Sequence, residues 1–248
     1  MLHSRDRARR ISVRIAVLSI PLALVCAAHP ILLGAPPREV NDRGVFVVSQ
    51  AGRPIGTETF AIKSSSHQVE AEAKIELRVE QDGKSFEFRT SPKLVMNSDF
   101  EPLTYSWSQK SAQSSELSVD FRSTPAKAHY RTVTGQADER EFELPKDVVI
   151  LDSNVFHHYQ LVIQRYRRTP GGKQAFHAFI PQEALPGSLN VEDVGKEQVE
   201  VGGEKRNLRH LVITTDLARI DLWADSQDRV ERVSIPAAGI EAVRKPQQ

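Results

Sequence analysis

The feature that most constrains the fold is a strict alternation of apolar and charged residues at the start of the stretch 68–89. From Val69 to Glu80, every second residue is apolar and each residue between is charged. Successive side chains of a β-strand point to opposite faces, so this period of two predicts a half-buried strand. Asp82-Gly83 then tolerates the positive φ angles of a tight turn. The stretch therefore predicts a β-hairpin.

A two-residue turn fixes which residues of the hairpin face each other. Apolar side chains then pair on one face and oppositely charged side chains pair on the other, so both faces agree with one register. The predicted pairs are Gln81 with Lys84, Val79 with Phe86, Leu77 with Phe88, Arg78 with Glu87 and Glu76 with Arg89. This pattern predicts how the strands pair and does not indicate a chemical function.

The same alternation recurs along most of the chain, with turn signals at the spacing of an antiparallel meander. Further strands are predicted at residues 44–50, 57–63, 103–107, 117–121, 126–134, 139–144, 174–181, 189–201, 208–217, 220–224 and 229–235. One stretch differs, because the apolar residues from 152 to 168 are spaced three or four apart, as on one face of a helix. Asp152 or Ser153 can cap its start, and Pro170-Gly171-Gly172 ends it.

These elements predict a mainly β fold with a single helix. More than ten strands each offer one apolar face, and soluble proteins seldom leave large apolar faces exposed. The sheet must therefore curl on itself or pack as two sheets. We expect one domain over residues 44–244, built as a large curled antiparallel sheet, either a half-barrel or a barrel-like meander, with one covering α-helix.

A curled sheet that is closed by a helix often retains an apolar cavity. The helical residues Phe156, Tyr159 and Ile163 are candidates to line such a cavity. Trp107 and Trp223 lie in alternating strands and are further candidates for the cavity or its rim. Trp223 is expected on the face of its strand that carries the charged residues.

The first 28 residues have the layout of a secretory signal, with five Arg and one Asp and then an apolar run of 14 residues. This run is shorter than the roughly 20 residues that span a bilayer. Cleavage after Ala27 or Ala28 is expected, and an uncleaved anchor is the alternative. Lipidation of Cys26 is disfavoured because Val25 stands where a small residue is needed. Residues 29–43 follow as a linker, and the protein is expected in the periplasm, either free or membrane-anchored.

Charge and motifs exclude several classes of function. Beyond the first 28 residues the chain has 28 basic and 31 acidic residues, a poor composition for binding nucleic acid. We find no nucleophile elbow and no complete phosphate-binding loop, and we predict no catalytic residue, metal or cofactor.

The adjacent His157 and His158 point about 100° apart on a helix, so they chelate a metal poorly. We interpret them as solvated helix residues.

A basic patch surrounds the predicted end of the helix. It consists of Arg165, Arg167, Arg168 and Lys173. These side chains can contact anionic lipid head groups or an acidic partner. The alternative is that they compensate the helix dipole and keep the protein soluble.

Two short patterns resemble a group of uncharacterised bacterial envelope domains. Residues 52–58, GRPIGTE, resemble the first turn of that group, and residues 222–230, LWADSQDRV, resemble its closing hairpin. Asp228 stands where such hairpins often carry Gly. The resemblance covers residues 44–236 in outline. It implies a sheet similar to that of the periplasmic lipoprotein carriers, a curved antiparallel half-barrel closed by helix, and it implies no activity.

Three functions fit these patterns. The first is a periplasmic binding or carrier module that holds an acyl chain or another apolar ligand inside the curled sheet. The second is a structural or interaction module of the cell envelope, with a filled core and an exposed edge strand that recruits a protein. The third is an enzyme, which rests only on abundant acidic residues and histidines. We favour non-catalytic binding of a lipid-like ligand, with membrane contact only through the signal, an anchor or the basic patch.

Overall fold

The computed structural model describes residues 40–81, 84–110, 114–132, 134–166 and 172–246 of the 248-residue chain. The strands are β1 (Asp42–Gln50), β2 (Arg53–Ser64), β3 (Gln68–Gln81), β4 (Lys84–Thr90), β5 (Lys93–Asn97), β6 (Pro102–Lys110), β7 (Ser115–Asp120), β8 (Ala126–Arg131), β9 (Ala137–Phe142), β10 (Val149–Ile150), β11 (Gln174–Ile180), β12 (Leu185–Val201), β13 (Glu204–Thr215), β14 (Arg219–Ala224), β15 (Val230–Ile235) and β16 (Ile240–Arg244). One α-helix, α1 (His158–Arg165), and two 3-10 turns, Pro181–Glu183 and Pro236–Ala238, complete the described elements.

All of these strands belong to one sheet. Its hydrogen-bonded path runs from β10 through β11 to β16, continues into β1, and then follows β2, β3, β4, β6, β7, β8 and β9, while β5 pairs with β3 and β6. The β10–β11 pair is parallel, and the other pairs are antiparallel. The sheet thus consists of two meanders that meet at the β16–β1 pair. This confirms the predicted mainly β fold with a large antiparallel sheet.

The two ends of the sheet lie close together, because β9 and β10 are joined by residues 143–148 alone. A connection of this length spans at most about 25 Å. Phe142 of β9 packs against Phe179 of β11, with 4.8 Å between the ring centroids. The Tyr130 hydroxyl donates a hydrogen bond to the Pro181 carbonyl at 3.1 Å. In the described sheet, the curl is closed by side-chain contacts between its ends.

The β3–β4 hairpin has the predicted register, including Val79 opposite Phe86 and Arg78 opposite Glu87. The apolar residues of β3 from Val69 to Leu77 are buried, and the charged residues between them are half-buried or exposed. We call the face that carries the buried residues the inner face of the sheet. The main hydrophobic core lies on this face.

The helix is shorter than the predicted span 152–168, since α1 begins at His158. The backbone N–H groups of Phe156 and His157 donate to the side chain of Glu58, and residues 153–154 and 156–157 form turns. A strand side chain thus supplies acceptors for N–H groups at the start of the helix, which have no partner within a helix. Among the residues that the structure describes, no helix has the length and hydrophobicity to span a membrane.

The structure adds three strands, β5, β10 and β16, to those predicted. β10 has two residues, too few for alternation to show. β1 begins at Asp42, inside the predicted linker 29–43. The predicted signal and most of that linker lie outside the described residues.

Candidate functional site

The most unusual part of the fold is residues 148–166, which we call the internal segment. It contains β10 and α1, and its described side chains are buried except those of Ser153, Asn154, Gln164 and Arg165. It makes side-chain hydrogen bonds to β2, β6, β12 and the turn between β14 and β15. The segment therefore fills the interior of the curled sheet.

Glu58 of β2 holds the middle of the internal segment. One carboxylate oxygen accepts the Phe156 N–H at 2.6 Å, and the other accepts the His157 N–H at 2.7 Å. The His157 Nδ1 atom lies 2.9 Å from the same carboxylate. Phe60 stacks on the His157 ring at a centroid distance of 5.9 Å. Both Glu58 and His157 have 0% exposure, so these bonds are shielded from water.

His158 and Asp152 form a second buried contact. The Asp152 backbone N–H donates to His158 Nδ1 at 3.2 Å, so that nitrogen is an acceptor and the ring proton resides on Nε2. The Tyr105 hydroxyl donates to Asp152 Oδ2. Asp152 Oδ1 accepts the N–H groups of Ser153 and Gln182, both at 3.0 Å. These bonds fasten the start of the internal segment to β6 and to the turn after β11.

Burial dominates the acid–base properties of these groups. It lowers the pKa of His158 well below its ordinary value, and the neighbouring His157 adds to this effect. It raises the pKa of Asp152, although the hydrogen bonds to that carboxylate act in the opposite direction. It also raises the pKa of Tyr105 far above its usual range. His158 is therefore neutral in this environment.

The C-terminal part of the internal segment is held by hydrogen bonds of the Gln160 side-chain amide and the Tyr166 hydroxyl. Gln160 Nε2 donates to the Asp228 carbonyl at 2.5 Å, and Gln160 Oε1 accepts the Val230 N–H at 2.7 Å. The Tyr166 hydroxyl accepts the Asp193 N–H at 3.1 Å. The Arg209 guanidinium lies over the Tyr166 ring and pairs with the carboxylates of Asp193 and Asp228.

The structure corrects our interpretation of the histidine pair. His157 and His158 are fully buried rather than solvated. Each has one ring nitrogen bonded and an Nε2 atom without a hydrogen-bond partner in the described part of the chain. No group of three or more His, Cys, Asp or Glu side chains in that part is arranged to hold a metal ion. The two histidines thus help to hold the internal segment, His157 through its contact with Glu58 and His158 through its contact with Asp152.

The predicted cavity residues of the helix lie in the main core. Phe156, Tyr159 and Ile163 expose 2%, 7% and 3% of their surface. Where the internal segment meets β5, a cavity lined by Leu161 and Arg165 of the helix measures about 10 Å³, no more than one water molecule needs. A ligand could reach these three side chains only if the internal segment moved. Their contact with a ligand stays a prediction.

The two tryptophans lie apart from each other. Trp107 is half-buried and packs against the main core. Trp223 belongs to a small second core with Val199, Val201 and Leu208. Its ring stacks on His210 with centroids 4.8 Å apart, and its Nε1–H donates to Glu197 at 2.9 Å. The structure thus places Trp223 away from the main core.

The structure describes two of the four residues of the predicted basic patch. Arg165 donates to the backbone carbonyls of Phe100 and Asp147 at 2.9 and 3.0 Å, so it holds two loops beside the helix end. Lys173 is exposed. Arg167 and Arg168 lie outside the described residues.

A surface that the sequence did not single out lies on the β3–β4 hairpin. We call Leu77, Val79, Phe86 and Phe88 the hairpin patch. All four share the inner face, yet Phe86 and Phe88 expose 44% and 37% of their surface. Alternation predicted the face of these residues. Alternation does not indicate where along that face the core ends and the side chains become exposed.

Comparisons with known proteins give one family match and one solved structure that supports the fold. A family model described as a domain of unknown function (DUF6134) matches residues 46–247. The fold is similar to that of a beta-barrel-like protein of domain of unknown function DUF1849 from Brucella abortus, with a TM-score of 0.59 and 9% identity over 84% of this chain and 96% of that chain. A DUF1089 family protein from Pseudomonas aeruginosa gives a TM-score of 0.45 and 14% identity over 73% and 90% of the two chains. No curated protein matches.

Proposed function

We propose that this protein, which belongs to the DUF6134 family, is an exported, non-catalytic module that binds a lipid-like ligand at the hairpin patch. The observation that carries this proposal is the exposure of Phe86 and Phe88 on the inner face. Burying exposed apolar surface is favourable by about 25 cal/mol for each Å². An apolar ligand that covers these rings therefore gains binding energy without entering the filled interior.

The size of the hairpin patch favours a narrow ligand. A specific protein interface buries roughly 800 Å² on each partner. Two partly exposed phenylalanines with two neighbouring aliphatic residues offer much less than that area. An acyl chain needs only a narrow apolar strip, and the patch continues into the main core through Leu77.

Burial of the acid–base groups supports a non-catalytic role. Glu58, His157 and His158 expose 0% of their surface, and Asp152 exposes 4%. A general acid or base must lie within hydrogen-bond reach of the reacting group. Each of these side chains is instead engaged in holding the internal segment.

The test is binding of palmitate to the protein purified from bacteria that express the full-length chain. We expect saturable binding that weakens at least about tenfold, or about 1.4 kcal/mol, in the double variant Phe86→Ser, Phe88→Ser. Leu217→Ser is the matched control, because Leu217 is 71% exposed in the turn between β13 and β14. Equal affinity in the double variant, or no saturable binding by the unaltered protein, would refute the proposal.

A second candidate function is recruitment of a protein at the edge strand β9. This strand pairs only with β8 in the described sheet, and Ala137 to Glu141 are exposed. An extended segment of a partner can add to such an edge through backbone hydrogen bonds. Glu139 and Glu141 share one face of β9, so a partner strand with basic residues opposite them fits best.

The two candidates are separated by variants at different sites. For the edge-strand function, Glu139→Lys with Glu141→Lys should abolish capture of a stoichiometric envelope protein, and the hairpin double variant should not. Capture that survives the charge reversal would argue against recruitment at β9.

A further inference from the structure

The internal segment is held by a hydrogen bond that one added proton would break. His158 Nδ1 accepts the Asp152 N–H at 3.2 Å. Protonation of the imidazole places a hydrogen on both ring nitrogens. Nδ1 would then direct its own N–H toward the Asp152 N–H, and the hydrogen bond would become a repulsive contact.

We propose that His158 is an acid-sensitive latch, whose protonation releases the internal segment while the sheet stays folded. This device goes beyond binding at the hairpin patch, since the released segment would uncover the inner face that it fills at neutral pH.

The surroundings of His158 do not accommodate a positive charge. Its ring is fully buried and lies 4.8 Å from the His157 ring. Its Nε2 atom has no hydrogen-bond partner among the described residues. Bringing a charge into such a site is costly unless the charge is paired.

Four other sets of titratable groups surround the latch. Glu58 on β2 binds His157 and two backbone N–H groups. Tyr105 on β6 donates to Asp152, and the edge of its ring faces His158. Tyr159 follows His158 on α1, and burial raises its pKa. The Arg209–Asp228 ion pair lies further along, where the Asp228 carbonyl accepts from Gln160.

The sign of the effect follows from the pKa of His158 in the two states. Burial lowers this pKa in the closed state, whereas a released imidazole has the ordinary value of about 6.5. The open state therefore binds more protons and gains population as the pH falls. For one such group, the opening constant rises about tenfold between pH 7.5 and pH 5.5.

Asp152 limits the pH window of the latch. Its pKa is raised in the closed state, so a proton taken up by this carboxyl favours the closed state. Opening should therefore increase below about pH 6.5 and level off where Asp152 becomes protonated. Asp152→Asn removes this opposing effect.

The experiment is hydrogen exchange of the full protein between pH 7.5 and pH 5.5, corrected for the intrinsic pH dependence of exchange. Peptides from the internal segment should open about tenfold more at the lower pH, while β3 peptides and the far-ultraviolet circular dichroism stay unchanged. In His158→Asn the rise should disappear, because the Asn Oδ1 atom can accept the same N–H and does not titrate. His129→Asn, at an exposed histidine paired with Glu139, is the matched control.

Three outcomes would overturn the latch. The first is an equal rise in His158→Asn, which would assign the proton to a group other than His158. The second is no rise in the unaltered protein. The third is simultaneous exchange of β3, which would show global unfolding. Asp152→Asn gives an independent test if His158→Asn does not fold, because His158 Nδ1 still faces the same backbone N–H in that variant. The rise must therefore persist in Asp152→Asn and be no smaller than in the unaltered protein. None of these readouts uses a ligand, so failure of palmitate binding leaves the latch testable.

Discussion

Gly56 shows how little space separates β2 from β3. A Cβ atom at this position would lie 1.9 Å from the Glu76 carbonyl oxygen, well inside the contact distance. We expect Gly56→Ala to lower the free energy of unfolding by about 3 kcal/mol, since the backbone must shift to make room. Urea denaturation measures this loss. Gly187→Ala is the control, because a Cβ atom there meets no atom within 4 Å. Equal losses in both variants would contradict the steric explanation.

Glu58 holds the centre of the internal segment through three polar contacts, to the Phe156 N–H, the His157 N–H and the His157 ring. Replacing it with Gln substitutes an N–H donor for one of the two acceptor oxygens, so at least one buried N–H loses its partner. We expect Glu58→Gln to cost about 3 kcal/mol of unfolding free energy in urea denaturation. Glu192→Gln, at an exposed position of β12, should change it by less than about 0.5 kcal/mol. A loss below 1 kcal/mol at Glu58 would contradict this role.

At the scale of elements, α1 depends on a side-chain amide that pairs with the backbone between β14 and β15. Gln160→Met keeps the approximate volume and removes both hydrogen bonds, to the Asp228 carbonyl and from the Val230 N–H. We expect a loss of about 2 kcal/mol in unfolding free energy and faster hydrogen exchange at Val230. Gln198→Met, at an exposed position of β12, serves as the control. Unchanged exchange at Val230 would show that the amide does not hold this turn.

The elements differ in how far the sequence predicts them. The β3–β4 register depends on neighbouring residues and a two-residue turn, and every predicted pair is present. The burial of His157 depends on Glu58, which lies 99 residues away, and no local pattern reveals that contact. Helical spacing predicted that Phe156, Tyr159 and Ile163 share one inward stripe. All three are buried, but so is every residue from His158 to Ile163, and Phe156 precedes α1. Whether that stripe faces a cavity or a filled core depends on the summed volume of many side chains, which periodicity does not measure.

At the scale of the whole molecule, the predicted N-terminal signal can be tested directly. We expect the full-length chain, expressed in a bacterium with two membranes, to appear in the periplasmic fraction with Ala28 or His29 as its first residue. The arginine-rich start and the short apolar run are the physical basis of this expectation. N-terminal sequencing of the fractionated protein checks it. An intact N-terminus in the membrane fraction would favour an anchor, and one in the cytoplasm would contradict export.

Because β16 pairs with β1, the order of the strands in the chain could be changed by circular permutation. Arg244 pairs with Asp42 at 2.7 Å, and the Lys245 N–H donates to the Val45 carbonyl at 2.8 Å, so the two meanders adjoin where the described strands begin and end. A circular permutant could join these points with a short linker and open the chain between β9 and β10. Except at the short β5, each of its strands would then pair with the next one in sequence. Such a molecule would make the β16–β1 pairing local and the contacts between the two ends of the sheet non-local, so the β16–β1 pair should form earlier in folding.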